Sequence, residues 1–112
     1  MEQILIVEDD WELNRGIARQ LGKEHYATLA AHTMEEAKSI LRVEPVHLVL
    51  LDVNLPDGDG FALLEWMNRE QKACPVVFLT ARDLEEDALR GYELGAVDYV
   101  TKPFSNKILL KK

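Results

Sequence analysis

Three carboxylates stand directly after two short apolar runs of the sequence. Glu8 and Asp9 follow the run at residues 3–7, and Asp52 follows a run that ends at Leu51. Short apolar runs bounded by polar or turn-forming residues are typical of buried β-strands. If these strands are neighbours in a parallel sheet, the carboxylates meet at one edge, where like charges repel unless a cation joins them. Oxygen ligands without His or Cys favour Mg²⁺ or Mn²⁺.

Two further polar residues extend this chemistry. Thr80 follows the apolar run at residues 75–79, and Lys102 lies just after a run at residues 97–100. A hydroxyl and an ammonium can each bind one oxygen of a phosphoryl group, while a metal ion binds another. A carboxylate such as Asp52 can then attack phosphorus and form an aspartyl phosphate. The residue types therefore predict phosphoryl transfer.

The segments between the apolar runs have the periodicity and the capping residues of helices. Apolar residues recur at i, i + 4 and i + 8 between residues 11 and 21, which predicts a first helix. Asp10 is suited to its start and Gly22 to its C-terminal cap. Thr33 and Glu36 have the spacing of a capping box at the start of a second helix. Further helices are expected from about residues 61, 83 and 105.

The predicted strands and helices alternate along the chain. The five predicted strands are residues 3–7, 26–30, 46–51, 75–79 and 97–100. Strands separated by helices pair in parallel, with the helices as crossover connections. We therefore expect an α/β fold with a doubly wound, five-stranded parallel sheet, whose carboxyl edge carries the polar residues described above.

Length and composition restrict the class of protein. A chain of 112 residues fits one domain, and a net charge of −7 disfavours direct binding to nucleic acid. No apolar run reaches the roughly 18 residues of a membrane helix, and no signal peptide is evident. The single cysteine cannot form an internal disulfide. We expect a cytoplasmic protein that does not bind membranes.

Four segments of the sequence match one known family in order and spacing. They are ILIVEDD at 4–10, LVLLDVNLPDGDGF at 48–61, LTAR at 79–82 and GAVDYVTKPF at 95–104. With them, nearly the whole chain resembles the receiver domain of bacterial two-component response regulators. The resemblance implies a flavodoxin-like sheet with strand order 2-1-3-4-5.

The resemblance also implies a role for each residue of the cluster. Asp52 corresponds to the phosphoacceptor, and Glu8 and Asp9 correspond to the acidic pair that holds Mg²⁺ with it. The backbone carbonyl of Asn54 corresponds to a further metal ligand. The phosphoryl donor is implied to be a histidine kinase, so the domain is not an enzyme in its own right, although it assists its own phosphorylation and dephosphorylation.

The remaining implied roles concern signalling. Thr80 corresponds to the switch hydroxyl, Lys102 to the lysine that binds the phosphoryl group, and Tyr99 to the aromatic switch residue. Phosphorylation is implied to shift the surface formed by helix four, strand five and helix five between two populations.

The form GAxDYxxKPF is common in OmpR/PhoB-like transcription factors, which implies a homodimer through that surface and a C-terminal DNA-binding domain. Residues 1–112 would then be a receiver domain whose fifth helix is cut short, with the effector domain missing. Ala88 and Ile108 stand where a basic and an acidic partner are usual, so we expect a partly apolar dimer interface. A stand-alone receiver in a phosphorelay is the alternative.

Two other classes of protein use a similar sheet. A phosphohydrolase of the haloacid dehalogenase type also has a strand-end Asp, but it requires a second Asp two residues later, where this chain has Asn54. A flavin or nucleotide carrier requires a phosphate-binding first loop rich in Gly, Ser or Thr. The first loop here is EDDWE, which has the opposite charge.

Overall fold

Five parallel strands form one sheet in the computed structural model, which describes residues 2–70, 74–80 and 98–101. In chain order, the elements are β1 (Gln3–Val7), α1 (Trp11–Lys23), β2 (Ala27–Ala31), α2 (Met34–Val43), β3 (Leu48–Asp52), β4 (Asn54–Leu55), β5 (Gly58–Asp59), α3 (Gly60–Arg69), β6 (Val76–Thr80) and β7 (Asp98–Thr101). The sheet order is β2-β1-β3-β6-β7, and β4 and β5 form a separate two-stranded hairpin.

This architecture confirms the predicted α/β fold and strand order, because β6 and β7 are the fourth and fifth predicted strands. The observed strand bounds differ from the predicted ones by at most two residues. The β4–β5 hairpin was not predicted. The predicted fourth and fifth helices, with Ala88 and Ile108, lie outside the described residues.

The strands alternate their side chains between two apolar layers, as a sheet covered on both faces requires. In β1, Ile4 and Ile6 pack with the apolar face of α1, whereas Leu5 and Val7 pack on the side of α2 and α3. Residues 4–7 of β1 are therefore buried, and the strand's carboxyl end reaches the edge where polar groups collect.

The predicted start of α1 is confirmed, whereas its predicted end is wrong. Asp10 is the N-cap, and its side chain accepts hydrogen bonds from two backbone N–H groups of the first turn, as predicted. The predicted cap at Gly22 is wrong, since the helix continues through Lys23 and ends at Glu24. The left-handed backbone conformation that a glycine would favour is adopted instead by His25, with φ of 70°.

A buried amide joins α1 to the central strands beside the carboxyl edge. The Asn14 Nδ2 group donates to the carbonyl oxygens of Ile6 at 3.1 Å, Glu8 at 3.1 Å and Ala31 at 3.2 Å. Asn14 is 1% exposed, so these bonds form away from bulk water. They hold the start of α1 against the ends of β1 and β2.

Among the described residues, no helix has the length and apolar character that crossing a bilayer would require.

We predict that Asn14→Ala lowers the free energy of unfolding by about 1–3 kcal/mol, because the buried hydrogen bonds from the Asn14 amide to three backbone carbonyls are lost. Urea unfolding followed by circular dichroism measures this change. Arg19→Ala, at an exposed position of the same helix, is the control and should change the stability by less than about 0.5 kcal/mol. Equal stability of the two variants would contradict this account of Asn14.

Candidate functional site

The pairing register of β1 and β3 brings two carboxylates side by side. Val7 pairs with Leu51, so Glu8, just after β1, lies level with Asp52, the last residue of β3. Asp9 follows directly. One carboxylate oxygen from each of Glu8, Asp9 and Asp52 lies within 4.8 Å of the others. The predicted cluster of three carboxylates is therefore present.

The three carboxylates differ in burial. Glu8 is 1% exposed and Asp52 is 5% exposed, whereas Asp9 is exposed to solvent. Placing two carboxylates out of water and next to a third costs free energy, through lost hydration and through mutual repulsion. A cation bound between them would offset both costs, with Asp9 on the open side.

Backbone N–H groups orient the two buried carboxylates. The amide of Asp10 donates to Glu8 Oε2 at 3.2 Å, and the amide of Asn54 donates to Asp52 Oδ1 at 3.1 Å. In each case the donor lies two residues after the carboxylate, so the turn that ends the strand also restricts side-chain rotation. Backbone amides therefore help to orient two of the three carboxylates.

The donor set matches a hard divalent cation. The three clustered groups offer carboxylate oxygens alone, which suits Mg²⁺ or Mn²⁺ and is unlike the His- and Cys-rich sites of zinc. Asn54 belongs to the same site through its hydrogen bond to Asp52. Its carbonyl as a metal ligand stays a prediction.

The sequence of the chain matches a known protein family over nearly its whole length. A sequence profile described as the response regulator receiver domain matches residues 4–112. The chain belongs to this receiver domain family. It is 43% identical over 103 residues to the transcriptional regulatory protein PmrA of Pectobacterium parmentieri, covering 92% of this chain and 46% of that protein. It is 38% identical over 112 residues to the phosphate regulon regulator PhoB of Escherichia coli, covering 98% and 49%.

The chain thus spans about half the length of these curated relatives, and the resemblance to OmpR/PhoB-like regulators is confirmed. Among solved structures, the non-phosphorylated HemR receiver domain of Leptospira biflexa is similar, with a TM-score of 0.92 and 40% identity. That match covers 99% of this chain and 90% of the other.

The backbone of this receiver domain brings one more predicted residue to the same edge. Asp52 pairs with Leu79, and Thr80 follows as the last residue of β6. Tyr99 lies in β7, the next strand of the sheet. Lys102 and the side chains of Thr80 and Tyr99 lie outside the described part of the chain. The roles of these three residues therefore stay predictions.

The start of α3 packs tightly against the end of β3. The Gly60 amide donates to the Val53 carbonyl at 2.7 Å. A Cβ atom at Gly60 would lie 2.5 Å from the Asp52 carbonyl oxygen and 3.0 Å from the Phe78 ring. Only glycine allows this approach without a shift of the neighbouring atoms.

Sequence reasoning missed the roles of two aspartates in the loop after Asp52. Asp59 caps α3, since its Oδ1 atom accepts from the Ala62 amide at 2.8 Å. Asp57 accepts two bonds from the start of α2. The position of Asp59 before a helix is a local signal for its role. For Asp57 the chain has no local signal, because its partners lie 22 and 23 residues away.

We predict that Gly60→Ala lowers the free energy of unfolding by about 1–3 kcal/mol, because the added methyl group overpacks the site. Gly16→Ala is the matched control, since a Cβ at Gly16 in α1 meets no atom within 4 Å. It should raise the stability by about 0.5–1 kcal/mol through helix propensity. Urea unfolding of both variants measures the difference. Stabilisation by both substitutions would disprove the close approach at Gly60.

Proposed function

We propose that this receiver domain is a phosphorylation-dependent switch in which Asp52 accepts a phosphoryl group from the phosphohistidine of a histidine kinase. Mg²⁺ (or Mn²⁺) would be held by Glu8, Asp9 and Asp52, with the Asn54 carbonyl as a further ligand. The observation that carries the proposal is the approach of three carboxylates to within 4.8 Å at the carboxyl edge of β1 and β3. The receiver family to which the chain belongs supports it as well.

In the proposed reaction, a carboxylate oxygen of Asp52 attacks phosphorus and forms the acyl phosphate. The bond between phosphorus and the imidazole nitrogen breaks, and the kinase histidine keeps the electron pair. When bound, the cation supplies charge stabilisation for the phosphoryl oxygens. The Asn54 amide holds the Asp52 carboxylate through its 3.1 Å hydrogen bond, so the nucleophile is oriented before the reaction begins.

Three further residues would complete the switch. Lys102 and Thr80 would each bind an oxygen of the phosphoryl group, and Tyr99 would turn inward as Thr80 moves. The surface formed by helix four, β7 and helix five would then shift between two populations. The position of Thr80 one residue beyond the strand partner of Asp52 supports this assignment.

The proposed output is regulation of transcription. The curated relatives carry names of transcriptional regulators and are about twice as long as the chain. We therefore propose that residues 1–112 are the receiver part of a cytoplasmic regulator that forms a homodimer when phosphorylated. DNA would be bound by a separate effector domain, in keeping with the net charge of −7 of this chain.

The labelling of Asp52 tests this proposal. With acetyl phosphate and Mg²⁺, the wild type should gain one phosphoryl group by intact-protein mass spectrometry, and Asp52→Asn should gain none. Removing Mg²⁺ with EDTA should abolish the labelling. Asp59→Asn is the control, because asparagine is an equally good helix cap, and it should be labelled like the wild type. If Asp52→Asn were labelled as fully as the wild type, the proposed role of Asp52 would be wrong.

A further inference from the structure

Asp57 connects the loop after the phosphoacceptor to a helix on the same face of the sheet. Its Oδ1 atom accepts from the Met34 amide at 2.7 Å, and its Oδ2 atom accepts from the Glu35 amide at 3.1 Å. Amides in the first turn of a helix have no partner within the helix. The side chain of Thr33, the N-cap of α2, accepts a hydrogen bond from the Glu36 amide. Asp57 therefore caps α2 from a segment that is distant in sequence.

The electrostatics favour this contact. The backbone hydrogen bond from Met34 lowers the pKa of the Asp57 carboxyl below its usual value, and the bond from Glu35 and the charge of Lys38 act in the same direction. The side chain is therefore ionised at neutral pH. An anion at a helix N-terminus is stabilised by the helix dipole and by charge-assisted hydrogen bonds.

The packing next to Asp57 is also tight. Gly58 has a φ of 155°, and a Cβ atom there would lie 2.7 Å from the Met34 Cε atom. The hairpin thus contacts α2 through backbone and side chain at one place. This contact with the Met34 side chain adds to the hydrogen bond from the Met34 amide in placing the hairpin against α2.

The β4–β5 hairpin connects Asp57 to Asn54, whose amide holds the Asp52 carboxylate. Residues 56 and 57 form its turn, Leu55 pairs with Gly58, and Asn54 pairs with Asp59. At the open end of the hairpin, the Asn54 amide holds Asp52 Oδ1. Fixing the turn on α2 therefore restricts the movement of Asn54.

We propose that Asp57 is a positioning residue for the phosphoacceptor site. It ties the hairpin that begins with Asn54 to the start of α2, and this orders the amide that orients Asp52 and the carbonyl proposed to bind Mg²⁺. The inference rests on the proposed function. It adds a role for a residue that lies outside the carboxylate cluster and hydrogen-bonds to the start of α2.

Asp57→Ala tests the proposal with two measurements. Calorimetric titration should show Mg²⁺ affinity weakened by about threefold to tenfold, a size typical of residues that support metal ligands indirectly. NMR should show faster exchange of the Asn54 amide with water. Asp57→Asn keeps one acceptor oxygen and the fold but loses the charge. Its Mg²⁺ affinity and its Asn54 amide exchange rate should therefore lie between those of Asp57→Ala and the wild type.

Thr33→Ala is the matched control, because it removes a cap from the same helix without touching the hairpin. It should leave the Mg²⁺ affinity and the Asn54 exchange within about twofold of the wild type. If Asp57→Ala left the Mg²⁺ affinity and the Asn54 exchange rate unchanged, or if Thr33→Ala changed them as much as Asp57→Ala does, Asp57 would only stabilise α2. If the wild type bound no Mg²⁺, the proposed function would fail, while the Asn54 exchange would still decide whether Asp57 orders the hairpin.

Discussion

The structure is organised around the proximity of Glu8 and Asp52, two carboxylates that lie almost fully buried at the end of the central strands. The parallel register of β1 and β3 places their backbone positions side by side, and backbone amides hold each side chain at the strand end. A register shift of one residue would turn every apolar side chain of β1 to the opposite layer. The apolar core thus holds the carboxylates together against their repulsion, and a cation is the natural complement of that arrangement.

The loops around this pair are held by caps. The helices α1 and α2 begin after β1 and β2, and α3 begins after the hairpin that follows β3. Acidic side chains accept hydrogen bonds from the first turns of all three helices: Asp10, Asp57 and Asp59. Each cap satisfies amides that would otherwise lack a partner in the helix. Each also fixes the chain within a few residues of the site. The segments that carry the chemistry are therefore ordered by backbone hydrogen bonds of the scaffold, which favours a site organised before its ligand arrives.

The fold and the carboxylate cluster could be predicted because both depend on simple rules of parallel sheets. The strand at Gln3–Val7 was predicted with its observed bounds, whereas the third strand begins at Leu48 instead of residue 46, since a continuous apolar run does not mark its own start. The end of α1 was misjudged because Glu24 closes the helix without a glycine. The contacts of Asp57 depend on packing between distant segments, for which the sequence carries no local pattern. The hairpin is different, because its Pro56-Asp57-Gly58 run is a local turn signal, although such a signal does not by itself show that the flanking residues pair. The family resemblance assigned roles to individual residues, which spacing alone could not do.

The central claim is that Glu8, Asp9 and Asp52 form one specific site for a divalent cation. Paramagnetic broadening by substoichiometric Mn²⁺, followed in amide NMR spectra, tests it most directly, because broadening falls steeply with distance from the ion. The account predicts that the amides of residues 8–10 and 52–54 broaden first and that excess Mg²⁺ reverses the effect. Broadening that begins equally at acidic residues at the far ends of helices, such as Glu24 and Glu70, would contradict it and indicate diffuse attraction by the net charge of −7.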